Sequence, residues 1–325
     1  MRITNRLNLP EPFVAAATSD HEYAEGRYSV TDLLGGTCEA ILKRRHADEI
    51  ADDVADRVWA IFGSAVHRIL QDAQEAPEQL KENWLCVPID ITIDGNCDHD
   101  GKPVKPYKVT RRYELSGIFD LYDDATGTVT DYKTASVWKV QMGDFEDWRR
   151  QTLMYCWLLQ QIGFDAWSGE IVALLKDHSI RKARTDKDYP QHPVHKKAWT
   201  FEQRDIDAAW LDILIWFGAV AREEMLPDSE LTPCTDAQRW HKPDTFAVVK
   251  DGNKRAARVL EDLAEAEALR DQLAEKTGKP HHVEHRIGED TKCDSYCSVA
   301  EFCPYVRRMR EAAAAADAPT LALAT

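Results

Sequence analysis

Two aspartates lie on the two arms of a predicted β-hairpin, where hairpins usually place apolar residues. The segment Gly117–Ser136 reads GIFDLYDDATGTVTDYKTAS, with a turn-rich centre between apolar and β-branched arms. We expect Tyr122 and Val129 to face each other across the turn. The same register places Asp120 opposite Asp131, with Cβ atoms about 4.5 to 5.5 Å apart. Two carboxylates at that separation repel each other, and a divalent cation bound between them would reverse this penalty.

The hairpin residues suit the hydrolysis of a phosphodiester. Oxygen ligands at this separation, with positions left for water, favour Mg²⁺ or Mn²⁺. Lys133 lies two residues after Asp131, so both side chains point to one face of the strand. Its ammonium group can hold a water or offset charge on a phosphate, while the metal lowers the pKa of that water. An ordinary surface hairpin with a polar face could carry the same residues. Neighbouring motifs are therefore needed to distinguish a metal site from such a hairpin.

Two helical motifs flank the hairpin along the chain. Upstream, GSAVH places Gly63 and His67 one turn apart; downstream, QTLMY places Gln151 and Tyr155 on one helical face. Each motif alone also fits an ordinary packing role, since a tyrosine commonly anchors a helix through its ring. The order of the motifs is therefore more informative than any one of them.

In order, Gly-x-x-x-His, Gly-x-x-Asp, Asp-x-Lys and Gln-x-x-x-Tyr resemble the motif series of RecB-family nucleases within the PD-(D/E)XK superfamily. The resemblance spans Gly63 to Tyr155. It implies an α/β fold with a restriction-endonuclease-like core, a central mixed sheet flanked by helices, with helical additions at both ends. By position it implies three roles: Mg²⁺ or Mn²⁺ ligands (His67, Asp120, Asp131 and the Tyr132 carbonyl), catalysis (Asp120, Asp131 and Lys133), and DNA contact or site support (Gln151 and Tyr155).

A second group of candidate ligands is the segment CDSYCSVAEFCP, which contains Cys293, Cys297 and Cys303. Closely spaced thiolates favour Zn²⁺ or an iron–sulfur cluster. The segment resembles the C-terminal cysteine triplet of RecB-like nucleases of the AddB and CRISPR-associated type. In those proteins an upstream cysteine completes a [4Fe–4S] cluster, and Cys38 occupies the matching region here. The resemblance implies that the cluster joins the N-terminal helix to the C-terminus.

Two alternatives to the cluster stay open. The first is a zinc site whose fourth ligand is a nearby histidine, His285, His281 or His282. The second is three buried thiols that bind no metal. We expect structural roles for the remaining cysteines: Cys86, Cys97, Cys156 and Cys234.

Hydrophobic periodicity and turn signals predict the elements that position these motifs. The predicted helices cover about residues 29–46 with a break at Gly35-Gly36, then 47–73, 145–162, 206–225 and 261–275. Strands are predicted between residues 84 and 133, at 169–177, in a hairpin that turns at 251–253, and at about 282–287. The predicted regions are an N-terminal helical segment (1–46), a nuclease core (47–200), a helical and small α/β accessory region (201–290), a cysteine segment (291–310) and a disordered tail (311–325).

Composition limits the kinds of partner. The chain has 325 residues, 44% of them hydrophobic, which is enough for a substantial core. Its net charge of −15 argues against attraction of DNA by the whole surface, so DNA must be held by local basic patches or by metal. Residues 176–197 carry a net charge of +4, which fits a solvated loop as well as a DNA groove. Three tryptophans near the motifs could stack on bases, although core packing explains most such residues: Trp138, Trp148 and Trp157.

Membrane and export signals are missing from the sequence. The polar start has no apolar run typical of a signal peptide, and the longest apolar run, Ile213–Ala221, is too short to span a bilayer. We therefore expect a cytoplasmic protein with no membrane partner.

The resemblance implies a metal-dependent DNA exonuclease that hydrolyses phosphodiester bonds in recombination, repair or phage DNA metabolism, and it admits a phage origin. Its substrate would be single-stranded DNA or duplex ends, and a recombinase or annealing protein is a candidate partner. The alternative is a catalytically inactive DNA-binding or scaffold protein that keeps the fold and the cysteine site. The complete set of catalytic residue types favours the enzyme.

Overall fold

The fold is described by a computed structural model for residues 2–18, 23–74, 76–97 and 103–317. The chain divides into two compact units, Met1–Thr232 and Pro233–Thr325. All four motifs of the predicted nuclease core belong to the first unit, and the cysteine triplet belongs to the second. The region boundaries drawn from the sequence stay predictions.

The first unit contains both strands and α-helices, with a run of consecutive strands from β4 to β8. Its strands are β1 (Arg2–Thr4), β2 (Arg27–Ser29), β3 (Ala51–Asp53), β4 (Gln79–Lys81), β5 (Trp84–Cys97), β6 (Pro103–Ile118), β7 (Leu121–Asp123), β8 (Thr128–Ala135), β9 (Ser168–Leu175) and β10 (Val194–Thr200). Its α-helices are α1 (Glu11–Ala17), α2 (Val30–Leu34), α3 (Thr37–Arg45), α4 (Val58–Gln71), α5 (Val137–Met142), α6 (Glu146–Gln161), α7 (Ile180–Thr185) and α8 (Gln203–Glu223). Residues Val54–Arg57 and Asp228–Glu230 form 3₁₀ turns.

A mixed five-stranded sheet forms the centre of the first unit, in the order β10-β9-β8-β7-β4. The pair β8 and β9 is parallel, and the other neighbours are antiparallel. Alternate residues of β9 are buried, and α6 packs on the sheet with nine consecutive buried residues, Gln151–Leu159. The predicted α/β fold with a mixed sheet flanked by helices is confirmed.

The sheet system breaks at Phe119 and Asp120, between β6 and β7. The long strands β5 and β6 pair with each other, and β2 joins β6 in a separate three-stranded sheet. Phe119 is fully buried in the main core beside Tyr122, in an edge-to-face contact. Because Phe119 anchors the break in the core, the position of the next residue, Asp120, is fixed.

The predicted helix over residues 47–73 begins later than its periodicity indicates. Residues Ala51–Asp53 instead pair in parallel with Arg2–Thr4, and Val54–Arg57 form a 3₁₀ turn before α4 begins. Asp53 starts that turn, since its side chain accepts a hydrogen bond from the amide of Ala55. Ile50 and Val54 are both buried, so their spacing reflects burial rather than a shared helical face.

The second unit has a three-stranded sheet and a helical C-terminal part. Its elements are α9 (Asp236–Arg239), β11 (His241–Lys242), β12 (Thr245–Lys250), β13 (Ala256–Leu260), α10 (Leu263–Thr277), β14 (His281–Arg286), β15 (Glu289–Asp290), α11 (Thr291–Ser295) and α12 (Pro304–Asp317). The antiparallel sheet has the order β13-β12-β14, and α10 packs on it. The predicted hairpin turn is confirmed, with Gly252 at φ 85°.

The remaining predictions of secondary structure agree with the structure to within about three residues. They are the helices matched by α6, α8 and α10 and the strands matched by β9 and β14. In the predicted disordered tail, residues 311–317 continue α12, and residues 318–325 lie outside the described residues. No helix in the described part of the chain is long and apolar enough to cross a membrane.

Candidate active site

The predicted hairpin register is confirmed. Tyr122 pairs with Val129, and the antiparallel pairing continues towards the end of β7 next to Asp120. Asp120 lies just before β7, and its Oδ2 accepts a hydrogen bond from the backbone amide of Tyr132 at 2.5 Å. Asp120 and Asp131 are both buried, with 7% and 3% of their surfaces exposed. The break between β6 and β7 therefore brings both carboxylates to one place.

His67 extends from α4 to this carboxylate pair. Its Nδ1 lies 3.0 Å from Asp120 Oδ1, and its ring meets that of Tyr132 edge on. The hydrogen bond to Asp120 raises the pKa of His67 and outweighs burial, which lowers it. Gly63, one turn earlier, lies beside Thr134 of β8, so α4 follows this strand.

Glu82 is a third acid in the site, and the sequence analysis did not identify it. His67, Glu82 and Asp120 form a group whose possible ligand atoms lie within 4.8 Å of one another. Glu82 lies between β4 and β5 at φ 51°, and its amide bonds the Asp120 carbonyl. Burial, followed by the charge of Asp120, raises the pKa of Glu82. The left-handed backbone of a glutamate is uncommon and concentrates at functional sites.

Each carboxylate oxygen of Asp131 has one polar neighbour. Gln151 Nε2 donates to Asp131 Oδ1 at 3.2 Å. Lys133 Nζ forms an ion pair with Oδ2 at 2.7 Å, and the described residues give Oδ2 no other donor. Burial raises the pKa of Asp131, the charge of Lys133 opposes this, and that of Asp120 adds to it. Because burial disfavours the ionised form of Asp131, a further positive charge nearby would stabilise that form.

The Tyr132 carbonyl faces the same side as Asp120. In a β-strand the N–H and C=O of one residue point to the same edge, and the Tyr132 N–H points to Asp120. The pairing between β7 and β8 ends at Leu121 and Thr130. Tyr132 lies two residues past that last pair, so β7 does not pair with this part of β8. This carbonyl is a possible ligand, as the resemblance implies.

Tyr155 explains the glycine of the Gly-x-x-Asp motif. A Cβ atom added to Gly117 would lie 2.7 Å from Tyr155 Cε1 and 3.1 Å from Val30 Cγ2. The Tyr155 ring therefore packs directly against the Gly117 backbone, three residues before Asp120. Burial raises the pKa of the Tyr155 phenol, and a hydrogen bond from Gln151 opposes that rise. Gln151 and Tyr155 thus support the acids from one face of α6.

An open cavity of about 490 Å³ adjoins the site. Its lining includes His67, Glu82 and Asp120 as well as Arg68, whose side chain is exposed. The oxygen and nitrogen donors of this group suit Mg²⁺ or Mn²⁺. The burial of Asp120 and Asp131 next to each other, with Lys133 as the ammonium group paired to Asp131, is a second observation that fits a bound cation.

Cys234 lies within electrostatic range of Cys293, as do the two other cysteines of the predicted triplet. Burial, followed by the charges of Cys297, Asp290, Cys303 and Cys234, raises the pKa of Cys293 to about 12. The strand β11 pairs with β15, and α9 packs on α11, which draws the chain after Cys234 towards Cys293. Among the described residues, no three of these sulfurs lie as close together as the ligand atoms of the His67 group. Cys234, assigned a structural role from the sequence, is thus a candidate ligand.

The histidines of the zinc alternative bond to other groups. His285 Nε2 lies 2.6 Å from Asp244, His282 Nδ1 lies 2.7 Å from Asp251, and His281 Nδ1 contacts the Lys279 carbonyl. The His282 and His285 side chains and their acidic partners are about half exposed. Cys156 is fully buried in α6, as its assigned packing role requires. The Cys97 side chain lies outside the described part of the structure.

The basic segment lies on the surface, and two of the three candidate tryptophans lie in the core. Part of the basic segment forms α7, and Lys196 of β10 pairs with Glu170 at 2.8 Å. Trp148 and Trp157 are buried, as most tryptophans were expected to be, whereas Trp138 is 65% exposed.

Fold and site together define a mixed α/β protein with a histidine, carboxylate and lysine centre at a break in its sheet. Comparison with family models matches residues 90–304 to the PD-(D/E)XK nuclease superfamily. The match covers more than half of the chain, and the chain belongs to this superfamily.

Comparison with solved structures gave distant matches. One, titled SSO0001, is 15% identical, covers 62% of this chain and 83% of its own, and has a TM-score of 0.41. Another, a phage-related exonuclease from Haemophilus somnus 129PT, is 13% identical, covers 34% of this chain and 57% of its own, and has a TM-score of 0.23. Both are too distant to support an inference about this chain. No match was found among curated proteins.

Replacing Gly117 with alanine should destabilise the core. The new methyl group would collide with the Tyr155 ring, and overpacking of this kind costs about 1–3 kcal/mol. Gly63→Ala is the matched control, because its Cβ would lie 3.5 Å from Thr134 Oγ1, an ordinary contact. In a helix that change gains up to about 1 kcal/mol. Denaturant titration measures both free energies of unfolding; equal effects would contradict the proposed contact between Gly117 and Tyr155.

Replacing Glu82 with glutamine should weaken metal binding and stabilise the metal-free protein. We expect at least about a tenfold loss of Mn²⁺ affinity, the scale for even a supporting group around a metal. A raised pKa means that ionising Glu82 opposes folding. Without metal, Glu82→Gln should therefore melt at a higher temperature than the wild type. This gain should be full at pH values above the raised pKa of Glu82 and should disappear below about pH 4.5, the ordinary pKa of a glutamate.

The control for Glu82→Gln is Glu78→Gln, which removes the same charge from an exposed position before β4. Melting curves with and without Mn²⁺ across the pH range measure both effects. A Glu82→Gln protein that Mn²⁺ stabilises as strongly as the wild type would remove Glu82 from the site.

Proposed function

We propose that the protein is a Mg²⁺- or Mn²⁺-dependent deoxyribonuclease that acts as an exonuclease on DNA ends. One observation carries the proposal: the carboxylates of Asp120 and Asp131 are both buried, and His67 and Lys133 contact them at 3.0 and 2.7 Å. Membership of a nuclease superfamily supports phosphodiester hydrolysis as the reaction.

The proposed metal ligands are Asp120, Asp131, His67 and the Tyr132 carbonyl, with Glu82 as an addition from the structure. His67 can coordinate only through a neutral ring nitrogen, and its Nδ1 already contacts Asp120. When bound, the cation would lower the pKa of a coordinated water and offset charge on the phosphate.

Each neighbouring group has a separate role in this proposal. The Tyr132 amide holds Asp120 in orientation, and Gln151 does the same for Asp131. Lys133, 26% exposed and paired with Asp131, is placed to contact a phosphate oxygen or to hold the attacking water. Tyr155 acts indirectly, through Gln151 and through its packing on Gly117.

Finer parts of the proposal rest on the resemblance of the motifs alone. They are exonuclease action on single-stranded or duplex ends, a role in recombination, repair or phage DNA metabolism, a cytoplasmic location, and a recombinase or annealing protein as partner. Residues 206–289, which the core motifs do not need, are a candidate region for setting strand polarity or recruiting that partner.

Cleavage of end-labelled and circular DNA in Mn²⁺ tests the enzyme. We expect shortening of linear strands from an end, no cutting of circles, and a loss of kcat/KM on the order of a hundredfold or more in Asp131→Asn. The control is Asp147→Asn, an exposed acid on α6 whose carboxylate pairs with Lys139.

Two outcomes would overturn the nuclease proposal. One is no cleavage by folded, metal-loaded protein; the other is unchanged cleavage by Asp131→Asn. DNA binding without cleavage would instead support the inactive scaffold. Cutting of circles would retain the nuclease and exclude purely end-dependent action.

We further propose, from the resemblance, that Cys293, Cys297 and Cys303 hold a [4Fe–4S] cluster with Cys38 as fourth ligand. Cys234 is a competing fourth ligand, because the second unit itself brings it near Cys293. Zinc is the competing metal.

Metal analysis of anaerobically purified protein tests this site. We expect iron and acid-labile sulfide, lost in Cys297→Ser and in Cys38→Ser but kept in Cys234→Ser. Cys86→Ser serves as the control, since Cys86 lies on β5 and interacts with Arg27 and Glu114. Stoichiometric zinc without iron would refute the cluster, and metal loss in Cys234→Ser alone would place the ligand there.

A further inference from the structure

The helix α4, which positions His67, has an apolar face that the described protein does not bury. No residue of α4 is buried, although its sequence is rich in large apolar side chains. Trp59 is 58% exposed, Phe62 40% and Ile69 70%. Burial against a core is the usual reason for such a sequence, so this face needs another explanation.

Aromatic and cationic groups are combined on this face. The Trp59 and Phe62 rings meet edge on, with centroids 6.3 Å apart. Lys176 Nζ lies 4.2 Å from the centre of the Trp59 ring, and the Lys176 side chain is exposed. A purely apolar protein surface would have to bury this ammonium group, whereas a polyanion would contact it directly.

The face is continuous with the candidate active site. His67 contacts Asp120, Gly63 lies beside Thr134, and Trp59 contacts Lys176, whose amide bonds the Ala135 carbonyl. Successive turns of α4 therefore follow β8 from the carboxylates to the end of that strand. Trp59 is eight residues before His67, about 12 Å along the helix. That distance equals a few nucleotides at about 3.4 Å per stacked base.

Further exposed groups lie at the same end of β8 and β9. Trp138, 65% exposed, belongs to α5, whose first amide bonds Asp177, the neighbour of Lys176. The basic helix α7 begins shortly after Lys176 and carries Arg181, Lys182 and Arg184. Exposed rings with cations between them are typical of surfaces that bind single strands.

We infer that Trp59 and Phe62, with Lys176, form a base-stacking surface for single-stranded DNA that leads into the carboxylate site. This inference rests on the proposed nuclease function and narrows its substrate to a single-stranded or unpaired end. A paired duplex hides the faces of its bases from such rings. Stacking also recognises every base, so the surface would hold DNA without reading its sequence.

The test measures binding in the full-length Asp131→Asn protein, so that no strand is cut. The probes are a fluorescent oligothymidylate, a strand of the same length with sugars and phosphates but no bases, and a blunt duplex. We expect Trp59→Ala to weaken binding of the oligothymidylate by about 5- to 150-fold, the loss for one stacked base. Binding of the other two probes should change little.

Two further variants isolate the role of the ring. Trp59→Phe keeps an aromatic face and should restore much of the affinity. Trp210→Ala is the control, because it removes a partly exposed tryptophan that stacks on Trp157 from α8. Circular dichroism and melting temperature show whether each variant is folded; if Trp59→Ala is not, Phe62→Ala replaces it, with the same expected loss on the oligothymidylate alone.

An equal loss on all three probes, or no loss on the oligothymidylate, would overturn the inference. Light scattering adds a further outcome: a dimer that Trp59→Ala converts to monomer would assign this face to a second copy of the chain. Cleavage by the unmutated protein is measured separately. Base-dependent binding through Trp59 without cleavage would refute the nuclease proposal alone. Cleavage without such binding would refute the base-stacking surface alone.

Discussion

The burial of two carboxylates beside each other is the constraint on which the site depends. Asp120 and Asp131 are both removed from water, and together they carry more negative charge than Lys133 alone can offset. The protein reduces this cost with an amide from Tyr132 and a side-chain amide from Gln151. The other Asp131 oxygen has the Lys133 ammonium as its partner. Two buried acids beside a single ammonium group are costly to ionise unless a further cation compensates for them.

The break in the sheet is what makes this crowding possible. A continuous strand through residues 103–123 would keep Asp120 within a ladder of backbone bonds. Instead β6 ends at Ile118, Phe119 turns into the core, and the Asp120 carboxylate bonds the edge of β8. Tyr155 packs on Gly117 immediately before the break. The glycine and acid of one motif and the tyrosine of another thus belong to one packing arrangement.

The sequence predicted those parts of the site that depend on local periodicity. The two-residue repeat of β8 places Asp131 and Lys133 together, and the hairpin turn sets the register that brings Asp120 close. Glu82 escaped prediction because its place depends on a left-handed residue and on a bond to Asp120, 38 positions away. Cys234 escaped it for a similar reason, since the pairing of β11 with β15 draws it towards Cys293. No local sequence pattern predicts that Glu82 lies near Asp120 or that Cys234 lies near Cys293.

The net charge of −15 limits how this protein can hold DNA. Repulsion between exposed charges fades beyond about 8 Å at physiological salt, so local contacts decide binding. Neutralising phosphates requires many cations, whereas stacking requires only exposed rings and is not weakened by negative charge elsewhere. If α4 binds bases through Trp59 while it presents His67 to a metal, one rigid helix fixes the distance between a held base and the reacting phosphate. Placement of the strand and assembly of the metal site would then depend on the same packing of α4 along β8.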